Sequence, residues 1–143
     1  MNNPEHSRRK FFNSLAGKIV AFTYEINGIP QMKLNGLNDL PDKVIEQMIP
    51  VMVPDDTFRI ESDHILIYNK NTELFEKFKQ LSRHQMYILR SFDGISTIRD
   101  ITLKYASKYK VENETAFRHV RSLFTSLAEY MVCHPKDAHA GQQ

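Results

Sequence analysis

The apolar pattern of this chain changes its period at Ser82, and that change constrains the fold more than any other feature. Before it, residues 57–62 alternate between apolar and charged side chains, and residues 64–69 are rich in β-forming types. Only Asp63 separates the two segments, so the sequence predicts a tight β-hairpin. After Ser82, apolar residues recur at the three- and four-residue spacing of helices.

The segment at residues 73–81 fits both periods. Phe75 and Lys77 alternate with their neighbours as in a strand, whereas Leu74, Phe78 and Leu81 also share one face of a helix. We interpret this segment as a third strand because it directly follows the predicted hairpin.

Three helices are predicted after the strands. Ser82 is a suitable N-cap for the first, and Asp93-Gly94 ends it because glycine readily adopts the left-handed conformation of helix ends. Ser96 is the predicted cap of the second helix, and the third begins near Glu112. The predicted fold class is α+β: a winged-helix-like module, with a β-hairpin or three-stranded sheet followed by three helices, over residues 51–135.

The first fifty residues are predicted to form a helical N-terminal extension. Apolar residues recur there at spacings of three and four, which indicates a helix over residues 8–27, and Gly28 and Pro30 stand where a helix would stop. A linker over 28–40 and a short helix over 39–48 complete the extension. The apolar positions of the predicted first helix are Phe12, Leu15, Ile19, Phe22 and Ile26.

Residues 7–12, SRRKFF, resemble the start of a twin-arginine export signal. Lys18 and Glu25 interrupt the apolar region that such a signal needs, and no small-residue cleavage pattern follows. We therefore expect a retained amphipathic helix that packs on the module, docks on a partner or lies on an anionic membrane surface. Residues 136–143 are expected to form a disordered tail.

Charge and cysteine content narrow the classes of function. The net charge of +2 gives no strong bias towards nucleic acid, and no apolar run approaches the ~20 residues that span a bilayer. Cys133 is the single cysteine, so no internal disulfide forms and nothing demands an oxidising compartment. We expect a cytoplasmic protein that needs no cofactor.

Four stretches in order carry a family resemblance. They are the hairpin FRIESDHILIYN, the helix end LRSFDG, the helix start STIRDI, and the last helix with its tail, YKVENETAFRHVRSLFTSLAEYMVCHP. From about residue 54 to residue 135 the chain resembles the PqqD-like family, the peptide chaperones of pyrroloquinoline quinone synthesis, whose fold also serves as the recognition element of ribosomally made, modified peptides. Leu81-Ser82 replaces the family's usual Leu-Asn step, and serine can also cap a helix.

The resemblance implies a binding module without catalysis. Such proteins hold the leader segment of a precursor peptide and present it to a modifying enzyme, often a radical S-adenosylmethionine enzyme. The leader adds as a strand to the edge of the small sheet and packs against the last helix, a mode that an open sheet edge supports physically. The predicted peptide-binding residues are Phe75, Lys77, Phe78, Lys79, Phe117, Arg118, Val120, Arg121 and Phe124.

Simpler interpretations of these residues stay open. Aromatic residues on a helix, such as Phe117 and Phe124, are more often core than ligand contacts. Arg118 and Arg121 also fit an ordinary solvated face, and lysines such as those in 73–81 commonly protect an exposed edge strand.

The sequence also bears on metal binding, catalysis, DNA binding and assembly. Cys133 and His134 match no standard zinc spacing, so no metal site is expected, and no catalytic motif or phosphate-binding glycine loop occurs. A DNA-binding winged helix remains an alternative, with Arg118, His119 and Arg121 near phosphates. A third hypothesis is an assembly subunit of a larger enzyme complex, docked through its N-terminal helix.

Overall fold

The computed structural model describes residues 20–35, 37–53 and 58–136, with residues 20–26 and 30–35 described by their backbone alone. The fold is α+β, as predicted. The strands are β1 (Val20–Ile26), β2 (Ile29–Asn35), β3 (Pro50–Met52), β4 (Phe58–Glu61), β5 (His64–Asn69), β6 (Leu74–Gln80) and β7 (Cys133–Pro135). The helices are α1 (Asp42–Glu46), α2 (Arg83–Arg90), α3 (Ile98–Tyr109) and α4 (Asn113–Glu129).

Strands β4, β5 and β6 form an antiparallel meander in that order. The predicted hairpin is confirmed, with Ser62 and Asp63 between β4 and β5, and the interpretation of residues 73–81 as a strand is also confirmed. Ile65 pairs with Lys79 and Leu66 with Lys77, so Phe78 is the extra residue of a bulge in β6. One face of the sheet contributes Phe58, Ile65 and Ile67 to the main core cluster.

The helix predicted over 8–27 is wrong for residues 20–27, which instead form β1 and the start of a turn. Strand β1 pairs along its whole length with β2, so the linker prediction is also wrong for residues 29–35. Asn27 (φ 51°) and Gly28 (φ 85°) join the strands, and positive φ at both positions is what a two-residue hairpin turn of type I′ requires. Residues 1–19, including all of SRRKFF, lie outside the described residues, as do 137–143 of the predicted tail.

Residues 37–52 share the core of the predicted module. Leu37, Leu40, Ile45 and Met48 are buried in the same apolar cluster as the three long helices. Strand β3 pairs with β7, so residues 133–135 at the end of the predicted module form a two-stranded sheet with residues 50–52, at the boundary between the extension and the module. The short helix predicted over 39–48 is confirmed at Asp42–Glu46.

Helices α2 and α3 both begin with a capping box. Ser82 caps α2 as predicted, because its hydroxyl accepts from the Gln85 amide while the Gln85 side chain accepts from the Ser82 amide. Helix α3 is capped by Thr97 and not by Ser96, since the Thr97 hydroxyl accepts from the Asp100 amide. Ser96 instead donates its amide to Asp93, which organises the link between the helices.

Asp93→Ala is expected to reduce the free energy of unfolding by about 1 kcal/mol at neutral pH, because the exposed carboxylate accepts from two amides, Ser96 at 2.8 Å and Ile95 at 2.9 Å. These bonds lower the pKa of Asp93 below its usual 3.8, with the Ser96 amide the larger cause. The stabilisation is therefore present above pH 3.8 and is lost as the pH falls through the lower folded-state value.

Urea denaturation of the wild type and the variant at pH 7 and pH 3 measures this difference. Asp93→Asn is the matched control, since its side-chain oxygen still accepts both amides but does not titrate. A stability difference between wild type and Asp93→Ala that is unchanged at pH 3 would show that the ionised carboxylate of Asp93 is not the source of the stabilisation.

Candidate functional site

Strand β6 is one of the two edges of the three-stranded sheet. Within residues 20–35, 37–53 and 58–136, its pairing partner is β5, and no strand lies on its outer side. An unpaired edge leaves a row of backbone N–H and C=O groups that can accept a further strand. The edge predicted to be free is therefore open in the described part of the chain.

A groove of about 500 Å³ lies between the end of β6 and helix α4. Its first side is formed by Lys79 of β6 and by Ser82, His84, Gln85 and Ile88 at the start and middle of α2. Its second side is formed by Tyr105 of α3 and by His119, Ser122, Leu123 and Ser126 of α4. Among the described residues, this lining contains no carboxylate.

A buried tyrosine hydroxyl links the two sides of the groove. Tyr105 is completely buried, and its oxygen lies 3.2 Å from Nδ1 of His84 and 3.0 Å from Nδ1 of His119. Both histidines are exposed. Burial, with a smaller contribution from nearby Tyr109, raises the pKa of Tyr105, so its hydroxyl stays protonated at neutral pH.

The four predicted residues of β6 are spread over both faces of the strand. Lys79 lines the groove, and Phe78 packs against Tyr130 just after α4, with ring centroids 4.3 Å apart. Phe75 is half-buried on the meander, where the guanidinium of Arg59 lies 4.1 Å from its ring centroid. Lys77 is exposed.

Two of the predicted α4 residues are core residues. Val120 and Phe124 are completely buried, and Phe124 packs edge-to-face on Phe92 with ring centroids 6.0 Å apart. The structure therefore corrects their predicted role, because neither side chain reaches the groove. Phe117 is half-buried and lines a different cavity beside α1.

The two predicted arginines also lie away from the groove lining. Arg121 forms an ion pair with Asp42 at 2.6 Å and donates to the backbone oxygen of Asn38 at 2.9 Å. These contacts fasten α4 to the segment around α1. Arg118 is exposed and pairs with Glu114 one turn earlier at 3.3 Å.

The groove face of α4 was missed by the sequence analysis. It consists of His119, Ser122, Leu123 and Ser126, whose spacing of three and four residues places them on one side of the helix. Three of the four are polar, so a search for apolar periodicity passes over them. The signal that could have found them is this stripe of small and polar residues beside the apolar one.

A scan against protein-family models gave no match, and searches of curated proteins and solved structures also gave none. The resemblance to the PqqD-like family therefore rests on the quoted residues.

Within residues 20–35, 37–53 and 58–136, no group of three or more histidine, cysteine, aspartate or glutamate side chains could hold a metal ion. No helix there is long and apolar enough to cross a membrane. Cys133 is completely buried, and burial raises the pKa of its thiol far above the usual value, so it is not a reactive thiolate.

Proposed function

We propose that this chain is a non-catalytic adaptor that binds an extended precursor peptide and presents it to a modifying enzyme, such as a radical S-adenosylmethionine maturase. The peptide adds as a strand to the outer edge of β6, and its side chains enter the groove between β6 and α4. The observation that carries the proposal is the open β6 edge directly beside a groove of about 500 Å³.

The physical properties of the site suit this mode of binding. Backbone hydrogen bonds along a sheet edge supply affinity for any extended segment, whereas an adjacent groove selects among side chains. The volume lies within the range of about 300–1,000 Å³ typical of ligand sites. Within the α+β class, the order of three strands followed by three helices supports a winged-helix module of the PqqD-like type.

The DNA-binding alternative is weakened by the partners of its two arginines. Arg118 and Arg121 would have to contact phosphates, yet each already pairs with a carboxylate, Glu114 and Asp42 respectively. Phosphate binding depends on uncompensated positive charge. We therefore favour the peptide adaptor.

Labelled peptides encoded in the neighbouring open reading frames provide the test. Fluorescence anisotropy, with the labelled peptide at constant concentration and the chain titrated, measures their affinity, and amide hydrogen exchange locates the contact. We expect saturable binding that slows exchange in β6 more than in β4, the opposite edge of the same sheet. Saturable binding that protects β4 or α1 and leaves β6 unchanged would overturn the proposal, as would absence of binding for every such peptide.

Lys79→Glu is expected to weaken binding of the selected peptide by about tenfold, because it reverses the charge at the junction of strand and groove. Lys43→Glu on α1 makes the same change of charge outside the groove and is the matched control. Equal weakening by both variants would show that net charge, and not the groove, governs affinity.

A further inference from the structure

The Tyr105 hydroxyl fixes the orientation of two imidazoles in the groove. It contacts Nδ1 of both His84 and His119, at 3.2 and 3.0 Å. The Nε2 atom of each ring is thus left for other partners, and both rings line the groove. His84 is held further by Tyr109, whose ring centroid lies 4.0 Å from its own.

Proton counting fixes the hydrogen-bond roles at this cluster. A tyrosine hydroxyl has one proton to donate, so it donates to one Nδ1 and accepts a proton from the other. With both rings neutral, the first histidine therefore carries its proton on Nε2, whereas the second carries its proton on Nδ1 and has a bare Nε2. A proton added to this bare Nε2 breaks neither hydrogen bond to Tyr105.

That added proton changes the chemistry of the groove. Both Nε2 atoms then donate, and the pair carries one positive charge. Histidine is the side-chain type that can take up such a proton as the pH falls. The cluster therefore gains a donor and a charge as the pH falls, without any rearrangement.

The charged and titratable groups around the pair favour an anion. Lys79 of β6 lines the same groove. On α3, Tyr105 and Tyr109 contact the imidazoles, and Lys108 lies 5.7 Å from the Tyr109 ring centroid. Tyr87 of α2 packs on Tyr109. Because none of the described lining residues is a carboxylate, the positive charge of the pair is not neutralised within the groove.

We propose that His84, Tyr105 and His119 form a carboxylate-binding subsite in the groove, with the two Nε2 atoms as its donors. The subsite rests on the proposed function because the carboxylate that it binds is an acidic side chain of the bound peptide. Its affinity for a carboxylate rises as the pH falls, because binding stabilises the protonated pair.

Nuclear magnetic resonance tests the subsite without any precursor peptide. The probe is N-acetyl-glutamic acid amide, added to the full chain while the imidazole ¹⁵N signals are recorded. We expect the Nε2 signals of His84 and His119 to shift with the probe at pH 6 and to shift less at pH 8. His64, which contacts Asp63 at 2.9 Å, is the internal control and stays unchanged.

N-acetyl-glutamine amide is the neutral matched probe. Equal shifts with the two probes, or equal shifts at His64, would overturn the subsite. Tyr105→Phe keeps the ring in the core but removes the shared hydroxyl, so the selective response to the acidic probe should disappear. Circular dichroism and thermal unfolding confirm that this variant is folded. A selective response that survives in the folded variant would also contradict the proposal.

A second measurement uses a peptide that binds in the anisotropy assay, with both ends blocked and one glutamate replaced by glutamine. The acidic form should bind about tenfold more tightly at pH 6, the scale of one charge-assisted hydrogen bond, and this preference should shrink at pH 8. Replacement of both histidines, His84→Gln with His119→Gln, provides neutral donors and should abolish the pH dependence.

The adaptor function and the carboxylate-binding subsite can each be excluded by experiment without excluding the other. Peptides that bind β6 with no preference for glutamate would remove the subsite and leave the adaptor function. Selective imidazole shifts with the acidic probe, together with no binding of any neighbouring peptide, would leave the subsite and remove the adaptor function.

Discussion

Phe124→Ala is expected to lower the free energy of unfolding by about 3–5 kcal/mol, the range for removing a large aromatic side chain from a core. Phe124 is completely buried on the inner face of α4 and packs edge-to-face on Phe92 at 6.0 Å. The cavity would open between α4 and the end of α2, where the helices cannot close without moving their other contacts. Urea denaturation followed by circular dichroism measures the loss.

Phe117→Ala is the matched control on the same helix. Phe117 is only half-buried, so the same deletion should cost about 1–2 kcal/mol. Comparing the two variants distinguishes core packing from peptide contact, two roles that both phenylalanines could have on sequence alone. Similar losses for both variants, or a Phe124→Ala chain of unchanged stability that no longer binds peptide, would show that Phe124 is a surface contact and would contradict its place in the core.

The C-terminal part of the fold could be predicted from the sequence because its local signals agree with one another. Around Asp63, alternating residues and a short break specify the hairpin, and at Ser82 a change of period coincides with a helix start. The cap of α3 was assigned one residue too early. Ser96 and Thr97 are both residue types that cap helices. The Asp93 side chain accepts a hydrogen bond from the Ser96 amide, which holds Ser96 in the turn and leaves Thr97 as the cap.

The N-terminal hairpin was missed because its apolar residues satisfy two periods at once. Phe22 and Ile26 fit a helical stripe with residues 12, 15 and 19, yet Val20, Phe22, Tyr24 and Ile26 also alternate as a strand requires. The deciding signal is Asn27-Gly28, the pair that best fits a type I′ turn. Gly28 and Pro30 also fit the predicted helix stop, but positive φ at Asn27 and Gly28 identifies a hairpin turn.

The candidate site shows what periodicity cannot determine. The sequence predicted both walls, β6 and the last helix, but none of the residues that it selected on that helix lines the groove, and Val120 and Phe124 are buried. The groove instead depends on residues distant in sequence: His84 and His119 lie 21 and 14 residues from Tyr105, and only the packing of α2, α3 and α4 brings them together.

Gly28→Ala is expected to lower the free energy of unfolding by more than about 2 kcal/mol, from overpacking and backbone strain together, and to release the tip of the β1–β2 hairpin. Gly28 is buried with φ of 85°, and its oxygen accepts from the Lys70 amide at 2.8 Å. A Cβ there would overlap Oδ1 of Asn69 and come within 2.7 Å of Cγ of Asn71. Asn69 cannot easily move, because its Oδ1 already accepts from the Asn71 amide at 2.8 Å.

Gly94→Ala distinguishes backbone strain from steric overlap as the cause of the lower free energy of unfolding. Gly94 also has a positive φ, 77°, but no atom lies within 4 Å of its added Cβ, so only backbone strain of about 1 kcal/mol is expected. The excess in Gly28→Ala measures the contact between the hairpin tip and the β5–β6 turn. Equal losses from the two substitutions would mean that the hairpin does not pack there, whereas faster amide exchange at Lys70 in Gly28→Ala alone would locate the lost contact directly.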